Sequence, residues 1–187
     1  LDNAAPAGPV VGSTMTFGTY NSAAISWRVL AVDETNKRAL LVTEDAVTSM
    51  AYHDSSNNWS TSNVKTFLNG TGDDQFLKEF TVAEKAKMLK VSITDGDNSD
   101  SSTIINSQGS DTVFLLSATD ANNTSYFADN AARVCKLGQS KCYWWLRSPG
   151  NDDGYAAIVD DDGYVFGDGL SVLNGYGVRP AFWLKLE

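Results

Sequence analysis

The sequence is short of the residues that carry most metal and acid–base chemistry. It has one histidine, His53, and two cysteines, Cys135 and Cys142. A lone cysteine pair lacks the second ligand pair of a structural zinc site. A Ser-His-Asp triad would have to use His53, and no Gly-x-Ser-x-Gly elbow presents a nucleophile to it. His53 is therefore expected to be a surface residue. Positive charge is scarce as well: 14 Lys+Arg stand against 23 Asp+Glu, a formal net charge of −9. Nucleic-acid binders carry a basic patch, and none is visible, so no nucleic-acid partner is expected. No apolar run approaches the ~20 residues that span a bilayer, so no direct membrane insertion is expected. Gly167-Asp168-Gly169 lacks the Gly-Lys-Ser/Thr ending of a phosphate-cradling loop. No cofactor and no metal is expected. There is no internal repeat.

Apolar residues make up 42% of the 187, enough for one core of ordinary size. The chain opens on Leu1, and Leu1–Gly8 is small and Pro-containing. Residues 1–10 are expected to be a linker or mature N-terminus, and 11–187 a single domain. Ser13–Tyr20, Ile25–Ala31 and Arg38–Thr43 read as strands, the second by its alternation of Ile25, Trp27, Val29 and Ala31. Thr61–Asn69 reads as a short helix capped by Ser62, and Asp73–Phe80 as a turn or two of helix. Thr81-Val82-Ala83-Glu84 is a capping box that should open a helix running to about Lys90. Thr94–Ser110, almost all Asp, Asn, Ser and Gly, reads as a long mobile loop. Thr112–Ser117 reads as a buried strand and Tyr126–Arg133 as a helix. Tyr143–Arg147 and Val178–Leu186 read as strands. Between them, Ala156–Val159 and Tyr164–Phe166 flank Asp160-Asp161-Asp162-Gly163 as a hairpin. Strands, then helices, then strands argue for an α+β fold.

The last quarter carries the functional signal. Tyr143-Trp144-Trp145-Leu146-Arg147-Ser148-Pro149-Gly150 and Gly177-Val178-Arg179-Pro180-Ala181-Phe182-Trp183-Leu184 are stiff strand sequences. The segment between them holds six aspartates and no Lys or Arg. Its Asn, Asp, Ser, Gly and Tyr are also turn formers. Plain turns do not need the recurring Tyr155, Tyr164 and Tyr176, however, and tyrosine supplies contact area at low entropic cost. Ligand contact is the preferred reading. Arg147 and Arg179 lie within apolar strands and are read as structural, with their five donors satisfied by carboxylates or carbonyls. Trp144, Trp145 and Trp183 are read as core.

These residues resemble a family. The chain is similar to bacterial C-type-lectin-fold domains that end in a WWLRSPG…GVRPAFWL pattern. Phe17-Gly18-Thr19-Tyr20, Ile25–Leu30, Leu40–Thr43, Asn58–Ser62, Phe67-Leu68-Asn69 and Val113–Ser117 extend the likeness over most of its length. The resemblance implies a C-type lectin fold of the formylglycine-generating-enzyme-like variant, with two short helices and a small antiparallel sheet. Many such domains are the variable proteins of diversity-generating retroelements. There an error-prone copying step at adenines diversifies one ligand-binding face. By position and alphabet the diversified residues would be Asn151, Asp152, Asp153, Tyr155, Asp160, Asp161, Asp162, Tyr164, Asp168, Ser171, Asn174 and Tyr176. Trp144, Trp145, Arg147 and Arg179 would belong to the invariant frame. The implied function is non-enzymatic recognition of a protein or other surface ligand, basic or polar in character. The implied setting is the bacterial cell surface, the extracellular space or a phage.

Four alternatives stay open. Relatives without a retroelement exist, so the domain could be a fixed structural or carbohydrate-binding module. Asp160–Gly163 and Asp95–Asp100 are oxygen-rich and could draw calcium, although position twelve counted from Asp95 is Asn106 rather than Glu. Cys135 and Cys142 could close a disulfide in an exported protein or remain free thiols. The lectin-like fold also hosts formylglycine-generating oxidases that use a cysteine pair, but fold alone does not carry that activity, and no enzyme is expected.

Overall fold

The computed structural model describes residues 8–94 and 108–187. Its first three strands form a meander: β1 (Thr14–Tyr20), β2 (Ala23–Asp33) and β3 (Arg38–Thr43). Asn21 and Ser22, at φ of 50° and 61°, make the two-residue turn whose left-handed backbone matches the twist of the flanking strands. In β2 the alternation buries Ile25, Trp27 and Val29, and Trp27 Nε1 donates to Phe17 O at 2.7 Å. Arg38 closes the next turn by donating to Asp33 Oδ2 at 3.0 Å.

β4 (Thr48–Ala51) is followed by a 3₁₀ turn at Trp59–Thr61 and by α1 (Asn63–Asn69), whose cap is Ser62. A second 3₁₀ turn covers Phe76–Glu79. The Thr81–Glu84 capping box then opens α2 (Val82–Lys87). This helix stops short of the expected Lys90 because Met88 and Leu89 become β5 (Met88–Leu89) and pair with the C-terminal strand. β6 (Val91–Thr94) and β7 (Gln108–Asp111) pair with each other, so both ends of the expected loop are strand. The rest of that loop, with Asp95–Asp100, lies outside the described residues.

Thr112–Ser117 is buried but is not a ladder strand: it makes one bridge, Phe114 to Ala181. Arg147 N of a later strand donates to Leu116 O at 2.9 Å, and side chains hold the start of the segment. Asn69 Oδ1 accepts from Thr112 N and Val113 N, and Asn69 Nδ2 donates to Val113 O. The helix expected at Tyr126–Arg133 is only one turn, α4 (Asn130–Arg133), capped by Asp129. A separate helix, α3 (Ala118–Asn122), precedes it behind a Ser117/Asp120 capping box. β8 (Cys135–Leu137) and β9 (Ser140–Cys142) form a small hairpin. Then follow β10 (Trp144–Pro149), β11 (Tyr155–Val159), β12 (Val165–Ser171), β13 (Gly175–Val178) and β14 (Ala181–Lys185).

The architecture is mixed α+β, mostly strand with four short α-helices among the described residues. It departs from the expectation of two helices and one small antiparallel sheet. Two five-stranded sheets run β1-β2-β3-β14-β5 and β12-β11-β10-β13-β4, and in the second β10 and β13 are parallel. The single closing strand expected over Val178–Leu186 is split between them. Pro180 has no N–H to donate to a ladder, so the chain leaves one sheet at Val178 and enters the other at Ala181. Large aromatics fill the interior. Phe182 lies 4.7 Å from Trp27 and 5.2 Å from Phe17, ring centre to ring centre, and Trp145 lies 5.5 Å from Tyr52. Trp183, expected in the core, is half-buried, with the Arg38 guanidinium stacked 4.2 Å from its ring centre.

Candidate functional site

β10, β11 and β12 are the scaffold of the C-terminal acidic segment. The β11–β12 hairpin turns at Asp160–Gly163, and its tip is anchored rather than free. Asp160 Oδ1 accepts from Asp162 N at 3.0 Å and Tyr164 N at 2.8 Å. Arg133, buried in α4, donates from Nε to Gly163 O at 2.7 Å and pairs with Asn130 Oδ1 through Nη2. Gly163 sits at φ +83°, and a Cβ there would lie 1.8 Å from Asn130 O. Glycine is required here both by conformation and by the closeness of α4.

The twelve segment residues fall into two neighbourhoods. Asp160, Asp161, Asp162 and Tyr164 stand at the tip beside Tyr143. The negative charge of Asp161, with burial, Asp160, Tyr176 and Asp162 adding to it, raises the Tyr143 hydroxyl above the usual phenol range. Asp162 also pairs with Lys141 Nζ at 3.1 Å. Tyr176 is half-buried, its ring 5.4 Å from Tyr143 and 4.9 Å from Trp145. Asn174 Nδ2 donates to its hydroxyl at 2.9 Å.

The second neighbourhood holds Asn151, Asp152, Asp153, Tyr155, Asp168 and Ser171. Its loop is docked on buried Asn57, which donates from its backbone N to Asp153 O at 2.7 Å and from Nδ2 to Asp152 O at 2.9 Å. Asn151 N donates to Asp168 O, and Tyr155 faces Ser171 across the ladder. Asn174 N donates to Ser171 O, so the turn from Ser171 to Asn174 joins the two neighbourhoods.

Of the large apolar side chains exposed among the described residues, Tyr143, Tyr155, Tyr164, Phe166 and Leu173 all belong to this surface; the others are Val10, Val11 and Val82. Sequence reasoning missed Tyr143, Phe166 and Leu173. Phe166 could have been found from the alternation along β12, where Tyr164, Phe166 and Asp168 are exposed while Val165 and Gly167 are buried. Nothing local pointed to Asn57 or Arg133, which act across the fold.

The frame residues lie beneath. Trp144 and Trp145 are fully buried, and their indole N–H groups donate to Arg133 O and Met50 O. Arg147 Nη1 donates to Leu115 O at 2.8 Å and Asp120 Oδ2 at 2.9 Å. Arg179 is fully buried between Trp144 and Phe127; its Nε donates to Thr43 O at 2.8 Å and its Nη1 to Arg133 O at 3.3 Å. Its Nη2 has no partner among the described residues, so full satisfaction of its donors is not met. His53 is half-buried at the surface, where it organises a loop. Its Nδ1 accepts from Ser55 N and Ser56 N, which leaves Nε2 as the donor facing Thr61 Oγ1.

Residues 36–186 match a family model described as a domain of unknown function, DUF6273. The chain belongs to the DUF6273 family. No curated protein and no solved structure matches it. Among the described residues of this DUF6273 domain, no group of three or more His, Cys, Asp or Glu is placed to hold a metal, and no helix is long and apolar enough to cross a membrane. Cys135 and Cys142 are free thiols in this structure, directly opposite each other in the β8–β9 ladder.

Proposed function

We propose that this DUF6273 domain is a non-enzymatic ligand-binding protein of C-type-lectin-like fold, and that its recognition surface is the segment 151–176 together with Tyr143. The observation that carries this reading is the gathering of exposed Tyr143, Tyr155, Tyr164, Phe166 and Leu173 among carboxylates on buried, hydrogen-bonded strands. Aromatic side chains on a rigid support give contact area with little entropy to lose. The carboxylates select a basic or polar partner, and such binding weakens as salt rises. The setting that goes with this activity is the outside of a bacterial cell or a phage.

The second reading, a fixed structural or carbohydrate-binding module, draws support from Asp160. Its carboxylate is engaged by two turn amides, so free variation there would cost the hairpin its tip. Sequencing codons 143–181 across the source population, with the flanking DNA, separates the two. Variation confined to codons 151–176, with a nearby near-copy differing at adenines, supports diversified recognition. A uniform segment with no such copy supports the fixed module.

A further expectation refines which tyrosines are contacts. Changing Tyr143, Tyr155 and Tyr164 together to Ser should shift unfolding by no more than about 0.5 kcal/mol per site, as for ordinary surface positions. Tyr176→Ala should cost more, because its ring packs on Trp145. Denaturant unfolding of the two variants checks this. A large loss in the triple variant would make those tyrosines structural and remove the support for a contact surface.

A further inference from the structure

We propose that Cys135 and Cys142 form a thiol–disulfide exchange site, with Cys142 the entry thiol for a small-molecule disulfide and Cys135 the buried resolving thiol. The geometry begins with the β8–β9 hairpin, which is closed by Gly138 at φ +65° and puts the two cysteines directly opposite. Opposed residues in an antiparallel pair have Cβ atoms about 4.5–5.5 Å apart. A disulfide needs about 3.5–4.5 Å, a small adjustment in a ladder of two strands. The pair is asymmetric: Cys135 is fully buried, whereas Cys142 is partly open to solvent. Gly177 makes room for the outer sulfur, since a Cβ there would lie 3.1 Å from Cys142 Sγ.

The second observation is Arg179. A fully buried guanidinium needs a counter-charge, and this one donates only to carbonyls, with Nη2 unpartnered. The charged groups around it are Cys135, Arg28, Glu44 and Asp45. Glu44 is committed to Arg28 through two contacts of 2.8 Å. Asp45 Oδ1 accepts from Lys136 N at 3.0 Å. Glu44 and Asp45 keep negative charge near Arg179, and Cys135 adds a further one whenever its thiol is deprotonated. Its thiol is held below the usual range by the hydrogen bond from Cys142, by the Arg179 charge and by the Ala46 amide, against the opposing effects of burial and Asp45. The Cys142 thiol is pushed up by the same hydrogen bond and by its own burial. Deprotonation of the pair therefore falls first on Cys135, whose Sγ otherwise donates to Lys136 O at 3.6 Å.

The exchange follows. The Cys142 proton passes to Cys135, and the Cys142 thiolate attacks one sulfur of the small disulfide. The S–S bond of that molecule breaks, and one thiolate leaves and takes up a proton from solvent. Cys135 loses its proton again and attacks Cys142 Sγ, forming the Cys135–Cys142 bond and expelling the second thiolate, which is also protonated. Two electrons pass from the dithiol to the small disulfide, which leaves as two thiols. Oxidation removes the thiol that the Arg179 charge favours in its ionised form, while the guanidinium stays buried. The reduced form is thereby favoured, so the bond is a reversible couple rather than a permanent staple. This site does not depend on the ligand-binding reading.

The test uses the full reduced chain, native, with oxidised glutathione as probe and intact mass as readout. The chain is expected to lose two hydrogens without a lasting adduct. Cys135→Ser should retain glutathione on Cys142, and Cys142→Ser should leave Cys135 unmodified. Ultraviolet thiolate absorbance should appear at lower pH in the native chain than in Cys135→Ser. The disulfide should reopen in excess reduced glutathione. Thiols that stay unmodified, a stable adduct on the unaltered chain, a disulfide that resists reduced glutathione, or thiolate absorbance that appears at the same pH in the native chain and in Cys135→Ser would each overturn the proposal. If a serine variant fails to fold, the mass of the unaltered chain and its reopening by reduced glutathione still decide.

Discussion

Replacing Trp145 with alanine is expected to destabilise the chain by about 3–5 kcal/mol, the range for deleting a buried Trp or Phe side chain. Trp145 is fully buried, and the cavity it leaves would be lined by Tyr52 and Tyr176, both of which now pack against its ring. Its Nε1 also donates to Met50 O at 2.9 Å, so the carbonyl of β4 would lose its partner. Trp145→Phe separates the two contributions. It keeps most of the ring contact and gives up the hydrogen bond, for a smaller loss of about 1 kcal/mol beyond the volume change. Urea unfolding of the two variants provides the measurement. Equal small losses would show that the site relaxes and that Trp145 is not the support beneath Tyr176. Because Tyr176 reaches the acidic surface through this stack, the unfolding data also report how rigidly that surface is carried.

Gly163→Ala is expected to be the second severe change, about 3 kcal/mol, at the upper end of ordinary single substitutions. Two costs add. The residue sits at φ +83°, where an L side chain is strained, and its Cβ would meet the backbone oxygen of Asn130 at 1.8 Å. Backbone cannot swing away as a flexible side chain can, so the hairpin tip or α4 must move. Either movement breaks the bond from Arg133 Nε to Gly163 O, and Arg133 is itself buried. The loss should therefore appear both as lower stability and as faster hydrogen exchange at Tyr164 N, which Asp160 Oδ1 now protects. Unchanged exchange at that amide would mean the tip is held by something other than the Arg133 anchor. Asp160→Asn should be mild, since an amide oxygen still accepts from both turn amides, whereas Asp160→Ala should open the tip.

Local chemistry was readable wherever the reward was local. Ser62 caps α1 and the Thr81–Glu84 box opens α2, because both devices act within four residues of chain. Strands β1 to β3 follow from alternation and turn residues alone. The readings that failed did so where a distant partner outweighed the local preference. Lys87 ends α2 because Met88 and Leu89 have a ladder to join in β14. Thr112–Ser117 has strand composition, yet Asn69 occupies the backbone groups of Thr112 and Val113 that a neighbouring strand would need. The α3 capping box at Ser117 and Asp120 was legible, but the segment was read as the end of a strand.

At the candidate surface, composition and the spacing of tyrosines were enough to mark residues 151–176 as unlike ordinary core or linker. They did not say which side chains share a neighbourhood. Asp160–Asp162 lie with Tyr143, while Asp152 and Asp153 lie on Asn57, a division set by the docking of two separate loops. Acidity, the scarcity of histidine and cysteine, the caps and the hairpin at Asp160–Gly163 were determined by the sequence itself, since each depends on residue type or on neighbours a few positions away. The split of the last strand between two sheets, the packing of Tyr176 against Trp145, and the burial of Arg179 between Phe127 and Trp144 were decided only in the tertiary structure. Each of these depends on pairings between residues far apart in the chain. Such pairings are chosen by which apolar faces can be buried together and which buried polar groups can be satisfied there.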